Sequence, residues 1–168
     1  LAANRALLGR VAARYGVDPS YIVAIWGLES DYGANPGHYS VIESLATLAW
    51  GGTRPDAFRA YLIDALWILQ EGNVPPSRMV GSWAGAMGQT QFMPAAFRTY
   101  AVDFDGDGRR DIWGSLPDVF ASIANYLVAY GWKEGQSWGR EVKVPAGNAT
   151  KLAAKVGFRQ TGCRAERE

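Results

Sequence analysis

The stretch Tyr21-Ile-Val-Ala-Ile-Trp-Gly-Leu28 constrains the fold more than any other part of the chain. Asp18-Pro19 just before it reads as an N-cap followed by proline in the first helical turn. The stretch is apolar nearly all round. A helix without a polar face has to be covered on most sides, so this one is expected to lie centrally, with other helices around it. The rest of the chain supplies them. Leu7, Leu8, Val11 and Tyr15 recur at helical spacing before Gly16. Ser40-x-x-Glu43 is a capping box ahead of Val41, Ile42, Leu45 and Leu48, with Gly51-Gly52 as the stop. Phe58, Tyr61, Leu62, Ala65, Leu66 and Leu69 mark an amphipathic helix stopped near Gly72. Pro94 opens a short helix through Tyr100. Ser115-x-x-Asp118 precedes Val119, Phe120, Ile123, Leu127 and Tyr130, with Gly131 as the stop.

Strand signals are scarce. Only Glu141-Val-Lys-Val144 alternates, ahead of Pro145. The predicted class is mainly α, with little strand, and with loops at 30–39, 72–93 and 101–114 that are long enough to carry sites. A first domain is expected over 1–146, with a poorly defined tail over 147–168. The chain opens on Leu1 and is read as a piece or processed form of something longer. At 168 residues it is long enough for a real core. A net charge of +1 gives no pull toward nucleic acid or an anionic membrane. No apolar run reaches the roughly 18 residues that cross a bilayer. The lone Cys163 forms no internal disulfide, and the lone His38 disfavours a histidine-based zinc site.

Three segments carry candidate chemistry. Glu29 ends the apolar helix, seven residues after Ile22 and four after Ile25, so its carboxyl falls on their side. Burial and the negative end of the helix dipole both favour its protonated form, which a general acid requires at neutral pH. The alternative is a glutamate at a fraying helix end, facing water. Asp31, two residues on, is read as exposed or capping.

Gly81-Ser-Trp-Ala-Gly-Ala-Met-Gly-Gln-Thr-Gln-Phe-Met-Pro94 combines glycines for close backbone approach with neutral donors and apolar surface. Ser82, Gln89, Thr90 and Gln91 suit a sugar or a peptide better than a phosphate. A structural loop packed by its own side chains is the other reading.

In Asp103-Phe-Asp-Gly-Asp-Gly-Arg-Arg-Asp-Ile-Trp-Gly114, aspartates at positions one, three, five and nine with glycine at six match a calcium loop. Position twelve is Gly114, where a bidentate glutamate is usual, and Asp118 is the nearest later carboxylate that could close the shell. The alternatives are an incomplete, weak site or a solvated acidic turn partly neutralised by Arg109 and Arg110.

Taken in order, these segments resemble the membrane-bound lytic transglycosylase B family of bacterial cell-wall enzymes. The carrying stretches are Tyr15-Gly-Val-Asp-Pro19, Trp26-Gly-Leu-Glu-Ser-Asp-Tyr-Gly33, Ser82 to Pro94 and Tyr100 to Gly108, with Ala124-Asn-Tyr-Leu127 and Gly131-Trp132. The resemblance covers about residues 5–145 and implies a lysozyme-like helical domain with a calcium-loop insertion over 103–118. It implies Glu29 as catalytic acid and then base, Ser82, Gln91 and Tyr126 as substrate-binding residues, and Asp103, Asp105, Asp107, the Arg109 carbonyl and Asp118 as calcium ligands. The implied reaction cleaves the β-1,4 bond between N-acetylmuramic acid and N-acetylglucosamine without water, leaving a 1,6-anhydro end. No cofactor is needed for that chemistry, and calcium is structural.

The implied partner is a peptidoglycan strand, with no nucleic acid, in the periplasm or cell envelope. The chain is expected to be a monomer, attached to a membrane only through a segment outside it. Family members usually continue further, with a later tyrosine-asparagine motif, and residues 157–168 do not match their pattern. A hydrolytic muramidase, a non-catalytic peptidoglycan-binding module and a calcium-dependent structural domain are the competing readings.

The aromatic content, with 7 Trp, 8 Tyr and 6 Phe, is high. Trp26 is expected to wall the acid against water. Trp83 and Tyr126 are expected to serve a sugar cleft, Trp113 to anchor the calcium loop, and Trp50, Trp67 and Trp132 to be core.

Overall fold

A computed structural model describes residues 2–136. The chain divides into Leu1–Glu134 and Gly135–Glu168, and the fold is that of the first part. The expected strand at 141–144 and the tail over 147–168 lie outside the described residues.

Among the described residues the elements run α1 (Arg5–Tyr15), α2 (Pro19–Ser30), β1 (Tyr39–Ser40), α3 (Val41–Gly51), α4 (Pro55–Gln70), β2 (Val80–Gly81), α5 (Pro94–Tyr100) and α6 (Leu116–Ala129). Short 3₁₀ turns occupy Ala2–Asn4 and Pro76–Arg78. The helix boundaries follow the local chemistry that the sequence advertises. Asp18 accepts from the Ser20 backbone N–H at 2.7 Å, and Pro19 opens α2. Ser40 Oγ accepts from the Glu43 N–H at 3.3 Å, and Ser115 Oγ from the Asp118 N–H at 3.4 Å. Each bond satisfies one N–H that a helix start leaves without an intrahelical partner. The one described sheet is antiparallel, with Tyr39 opposite Gly81 and Ser40 opposite Val80. Two residues per strand are too few to show alternation, so the sequence gives no sign of it.

Two apolar clusters hold the domain. One gathers Val41, Leu45, Phe58, Ala65, Ile68, Met79, Met87, Phe97 and Ile112 around α3, α4 and α5. The other gathers Leu8, Val11, Ile22, Trp26, Phe120 and Ile123 around α1, α2 and α6.

Helix α2 is less enclosed than its composition implies. Ile22, Trp26 and Ser30 form one buried stripe, but Leu28 is 84% exposed and Ala24 is also exposed. Helices α1 and α6 cover only the stripe that faces them, and among the described residues nothing closes the Leu28 face. A groove of about 680 Å³ runs along the exposed Ala24, lined by Arg5, Leu8, Pro19, Val23, Ala24 and Tyr32.

Two tryptophans read as core are not core. Trp50 is 93% exposed and Trp67 is 45% exposed. The buried stripe of α3 is Val41, Leu45 and Ala49. Trp50 follows Ala49 and is turned about 100° away from it by the helical period. Trp67 precedes the buried Ile68 and is turned about 100° from it the other way, with the Arg98 guanidinium 5.8 Å from its ring centre. Trp132 packs as expected, donating to the Gly16 carbonyl at 2.8 Å and meeting Tyr21 edge-on.

Candidate functional site

The loop between β2 and α5 folds back on itself. Ser82 N–H donates to the Ala86 carbonyl and Met87 N–H to the Phe92 carbonyl, each at 2.8 Å. Gln89 fixes its centre. Gln89 Oε1 accepts from Trp26 Nε1 and Gln89 Nε2 donates to the Trp113 carbonyl, each at 2.8 Å. One buried amide therefore ties α2, the glutamine loop and the segment after the aspartate loop together. Gly33 is required beside it, because at φ 82° a Cβ there would overlap Gln89 Oε1. Trp113 anchors its segment as expected, with Nε1 donating to the Val80 carbonyl at 2.8 Å.

This anchoring sets a cavity of about 290 Å³ where the two apolar clusters meet. Its lining is Ile25 and Glu29 from α2, Thr90 to Met93 from the loop, Ala96 from α5, and Ile123 and Tyr126 from α6. Glu29, Gln91 and Tyr126, predicted as site residues, come together here. Glu29 is exposed overall, yet the apolar wall on one side of it raises its carboxyl pKa above the usual glutamate value through desolvation. Burial, with a smaller contribution from the Tyr130 hydroxyl, pushes the Tyr126 phenol up to about 12. Tyr126 therefore stays protonated at neutral pH and can donate. It stacks on Tyr130 with ring centres 4.5 Å apart and lies 5.5 Å from Phe92. Gln91 takes a left-handed φ of 50°, and its Nε2 donates to the Pro36 and Gly88 carbonyls at 2.9 and 2.8 Å. A non-glycine residue in that region is strained, and such residues cluster at functional sites.

Ser82, also predicted, is not part of the lining. Its Oγ accepts from the Ala84 and Ala86 N–H groups at 3.3 and 3.0 Å and shapes the turn. Trp83 is 66% exposed and borders a separate hollow with Tyr39, Glu43, Ser44 and Thr47. Trp26 does not wall the acid. Its ring is buried against Phe120 and Tyr32, and Phe92 and Tyr126 are the rings of the cavity wall. Helical period explains the exchange: Ile25, four residues before Glu29, shares its side, whereas Trp26 joins the Ile22–Ser30 stripe that faces α6.

Thr90 is the residue that the motifs underweight. It is 3% exposed, and its Oγ1 is buried with no hydrogen-bond partner. An unpaired buried hydroxyl costs about 1–3 kcal/mol. Ile123 and Tyr126, three apart on α6, carry a positional signal for the cavity, but ordinary core positions share that signal.

The aspartate loop lies apart from the cavity. Carboxylate oxygens of Asp103, Asp105 and Asp118 lie within 4.8 Å of one another. Asp118 is fully buried and accepts from the Phe104 and Asp111 N–H groups at 2.7 and 2.8 Å. Burial still pushes its carboxyl up to about 6. Among the described residues no ion pair reaches it. An all-oxygen donor set in which only Asp118 is buried, with no ion pair to any of the three carboxylates among the described residues, fits a hard divalent ion such as calcium. Asp107 is not among these three; Arg109 pairs with it at 3.0 Å and lowers its pKa. Asp111 accepts from the Trp113 and Gly114 N–H groups and shapes the turn.

The family model described as Transglycosylase SLT domain matches residues 1–166. The match runs into the tail, further than the motifs reach. Membrane-bound lytic murein transglycosylase B of Escherichia coli (strain K12) is 40% identical over 129 residues, covering 76% of this chain and 36% of that protein. The crystal structure of SltB3 from Pseudomonas aeruginosa in complex with NAG-NAM-pentapeptide aligns with a TM-score of 0.88 and 60% identity, covering 91% of this chain and 41% of that one. The same protein with NAG-anhNAM-pentapeptide aligns at 0.85 and 61%, covering 88% of this chain and 39% of that one. The Escherichia coli lytic transglycosylase Slt35 in complex with calcium aligns at 0.76 and 35%, covering 90% of this chain and 52% of that one. The chain thus spans between about a third and a half of the length of these relatives. The lysozyme-like fold of these transglycosylases is the fold described above, and the chain belongs to the transglycosylase SLT domain family.

Proposed function

We propose that this chain is a peptidoglycan lytic transglycosylase, cleaving the β-1,4 bond between N-acetylmuramic acid and N-acetylglucosamine without water. The observation that carries this reading is the lining of the cavity. Among the described residues there, Glu29 is the only carboxylic acid, and its pKa is raised. Ordinary glycosidases place two carboxyl groups across the scissile bond. A single acid suits a reaction in which the substrate supplies its own nucleophile.

Glu29 protonates the glycosidic oxygen as the C1–O bond breaks, and the departing sugar leaves with that proton. The substrate's acetamido group meets the positive character at C1. The C6 hydroxyl then attacks C1 and gives its proton to the Glu29 carboxylate, which closes the 1,6-anhydro ring and restores the acid. Gln91 and Tyr126 orient the sugar from the facing wall, and Ser82 does so through the turn that it shapes. The NAG-anhNAM-pentapeptide complex of SltB3 supports this product class. The substrate is the glycan strand, and the setting is the cell envelope. The relative from Escherichia coli is membrane-bound. Among the described residues no helix is long and apolar enough to cross a membrane.

Digestion of purified sacculi, followed by mass analysis, tests the reading. Muropeptides one water lighter than the hydrolytic products are expected. Products at the hydrated mass indicate a muramidase, and no release indicates a binding module; either result overturns the proposal.

Calcium is proposed at Asp103, Asp105 and Asp118, with Asp107 and the Arg109 carbonyl completing the shell. Its place is structural, since the loop joins α6 through the Ser115 Oγ bond to Asp105 Oδ2 at 2.6 Å. Calcium at about 100 times its dissociation constant adds about 2.7 kcal/mol, or about 5–10 °C in Tm for a domain of this size. Asp103→Asn is expected to remove most of that shift, as read by thermal melts with calcium or with chelator.

A further inference from the structure

Gln91 and Tyr126 share the cavity lining with Glu29 but are held in different ways. Two carbonyls hold the Gln91 amide. The Tyr126 ring is held by other rings. Phe92 lies 5.5 Å away and tilted, Tyr100 5.2 Å away and edge-on, and Tyr130 4.5 Å away and stacked. Phe92 belongs to the cavity wall, whereas Tyr100 and Tyr130 are not in its lining. Two hydrogen bonds bring them in. Asn125 Nδ2 donates to the Tyr100 carbonyl at 2.9 Å, which ties the end of α5 to α6 one residue before Tyr126. Tyr130 follows Tyr126 by four residues, on the same side of the helix, and its N–H donates to the Tyr126 carbonyl at 3.1 Å. The Tyr130 hydroxyl is the main cause that raises the Tyr100 phenol pKa, and after burial it is the next cause at Tyr126. That places its hydroxyl beside both of theirs. Tyr130 is nevertheless 54% exposed. A half-open ring at a helix end adds little to a core, yet this one covers a face of a cavity ring.

We infer that Tyr130 is a positioning residue, which fixes the Tyr126 ring so that its hydroxyl meets a sugar bound beside Glu29. The inference rests on the reading above, in which Tyr126 orients the sugar, and deepens it: part of the sugar-orienting wall is set from outside the cavity. Stacked aromatic pairs have a preferred geometry beyond the area that they bury, so the stack fixes the direction of the Tyr126 ring as well as its place. Tyr130 acts through Tyr126 and touches no substrate itself.

Binding of NAG-NAM-pentapeptide is measured on protein carrying Glu29→Gln, which removes the acid. Adding Tyr126→Phe is expected to weaken binding about 3- to 10-fold, the range of one neutral hydrogen bond. Adding Tyr130→Leu instead, which removes the stacked ring at an exposed helix end, is expected to weaken it about 2- to 10-fold. On top of Tyr126→Phe, Tyr130→Leu is expected to change the affinity less than about 2-fold, because no hydroxyl is left to misplace. Tyr130→Phe keeps the stack and is expected to stay within about 2-fold of the parent. A merely structural Tyr130 would give the same loss with or without the Tyr126 hydroxyl. That result, or unweakened binding by Tyr130→Leu where Tyr126→Phe binds weakly, defeats this inference alone. Tyr126→Phe binding as tightly as the parent, or no measurable binding at all, removes the role of Tyr126 and this inference with it. Sacculus digestion by the unmutated chain tests the reaction separately. Absent anhydro products together with a Tyr130→Leu loss that vanishes in the Tyr126→Phe background defeat the transglycosylase reading alone.

Discussion

Glu29→Gln is expected to lower peptidoglycan turnover by about 10²–10⁴-fold, the usual contribution of a general acid or base. The loss should fall at the upper end, because in the proposed reaction one group serves both proton transfers and no second carboxyl lines the cavity among the described residues. The fold should not suffer. In the native state desolvation holds the Glu29 pKa above its ordinary value. The folded protein therefore binds that proton more tightly than the unfolded chain does. As pH rises from the ordinary glutamate pKa through the raised one, ionisation of Glu29 takes stability away, and the penalty is fully present above that window. Glutamine carries no such penalty. At neutral pH the variant should melt at the same temperature as the parent or slightly higher, and the difference should vanish below the ordinary glutamate range. The same pKa sets the activity profile. The free enzyme needs protonated Glu29, so kcat/KM should fall as pH rises through a value above that of an unperturbed glutamate. Retained turnover in Glu29→Gln, or a basic limb absent from the parent's profile, would remove Glu29 from the acid role.

The residues that were legible in sequence are those whose neighbours lie on the same helix. Asp18, Ser40 and Ser115 announce three helix starts. Glu29 is placed beside Ile25 by a four-residue spacing, and that side does line the cavity. Motif resemblance adds Gln91 and Tyr126, which no local period joins to Glu29. What stayed hidden depends on contacts between distant segments. The burial of Gln89 is set by Trp26, 63 positions earlier, and by Trp113, 24 positions later. Trp50 and Trp67 look like core by type, and only the direction of the facing helix puts them outside. Asp107 fits a ligand pattern by spacing, and the spacing gives no sign of its pair with the nearby Arg109. The apolar circumference of α2 signals the need for cover, but it does not say which faces this chain covers.

Gln89→Leu should be the most destabilising single change among the loop residues. Leucine fills much of the same volume but leaves two partners unpaired, Trp26 Nε1 and the Trp113 carbonyl. Both bonds lie in the buried interior. At about 1–3 kcal/mol for each orphaned group, less what the added apolar surface returns, the loss comes to about 2–4 kcal/mol, or about 5–15 °C in Tm. A double-mutant cycle with Trp26→Phe separates this link from general repacking. The indole donor and the amide act on each other, so the two losses should overlap by about 1 kcal/mol or more instead of adding. Additive losses would mean that the two side chains merely sit close. Activity should fall as well, even at temperatures where the variant remains folded. Gln89 holds the loop whose Thr90 and Gln91 line the cavity with Glu29, and a misplacement of about 1 Å in a positioning wall can cost about 10²-fold in rate. The defect should appear in kcat/KM with the pH profile unmoved, because Ile25 of α2 and Ile123 of α6 keep their places in the apolar wall beside Glu29. A shifted profile would instead place Gln89 in the electrostatics of the acid.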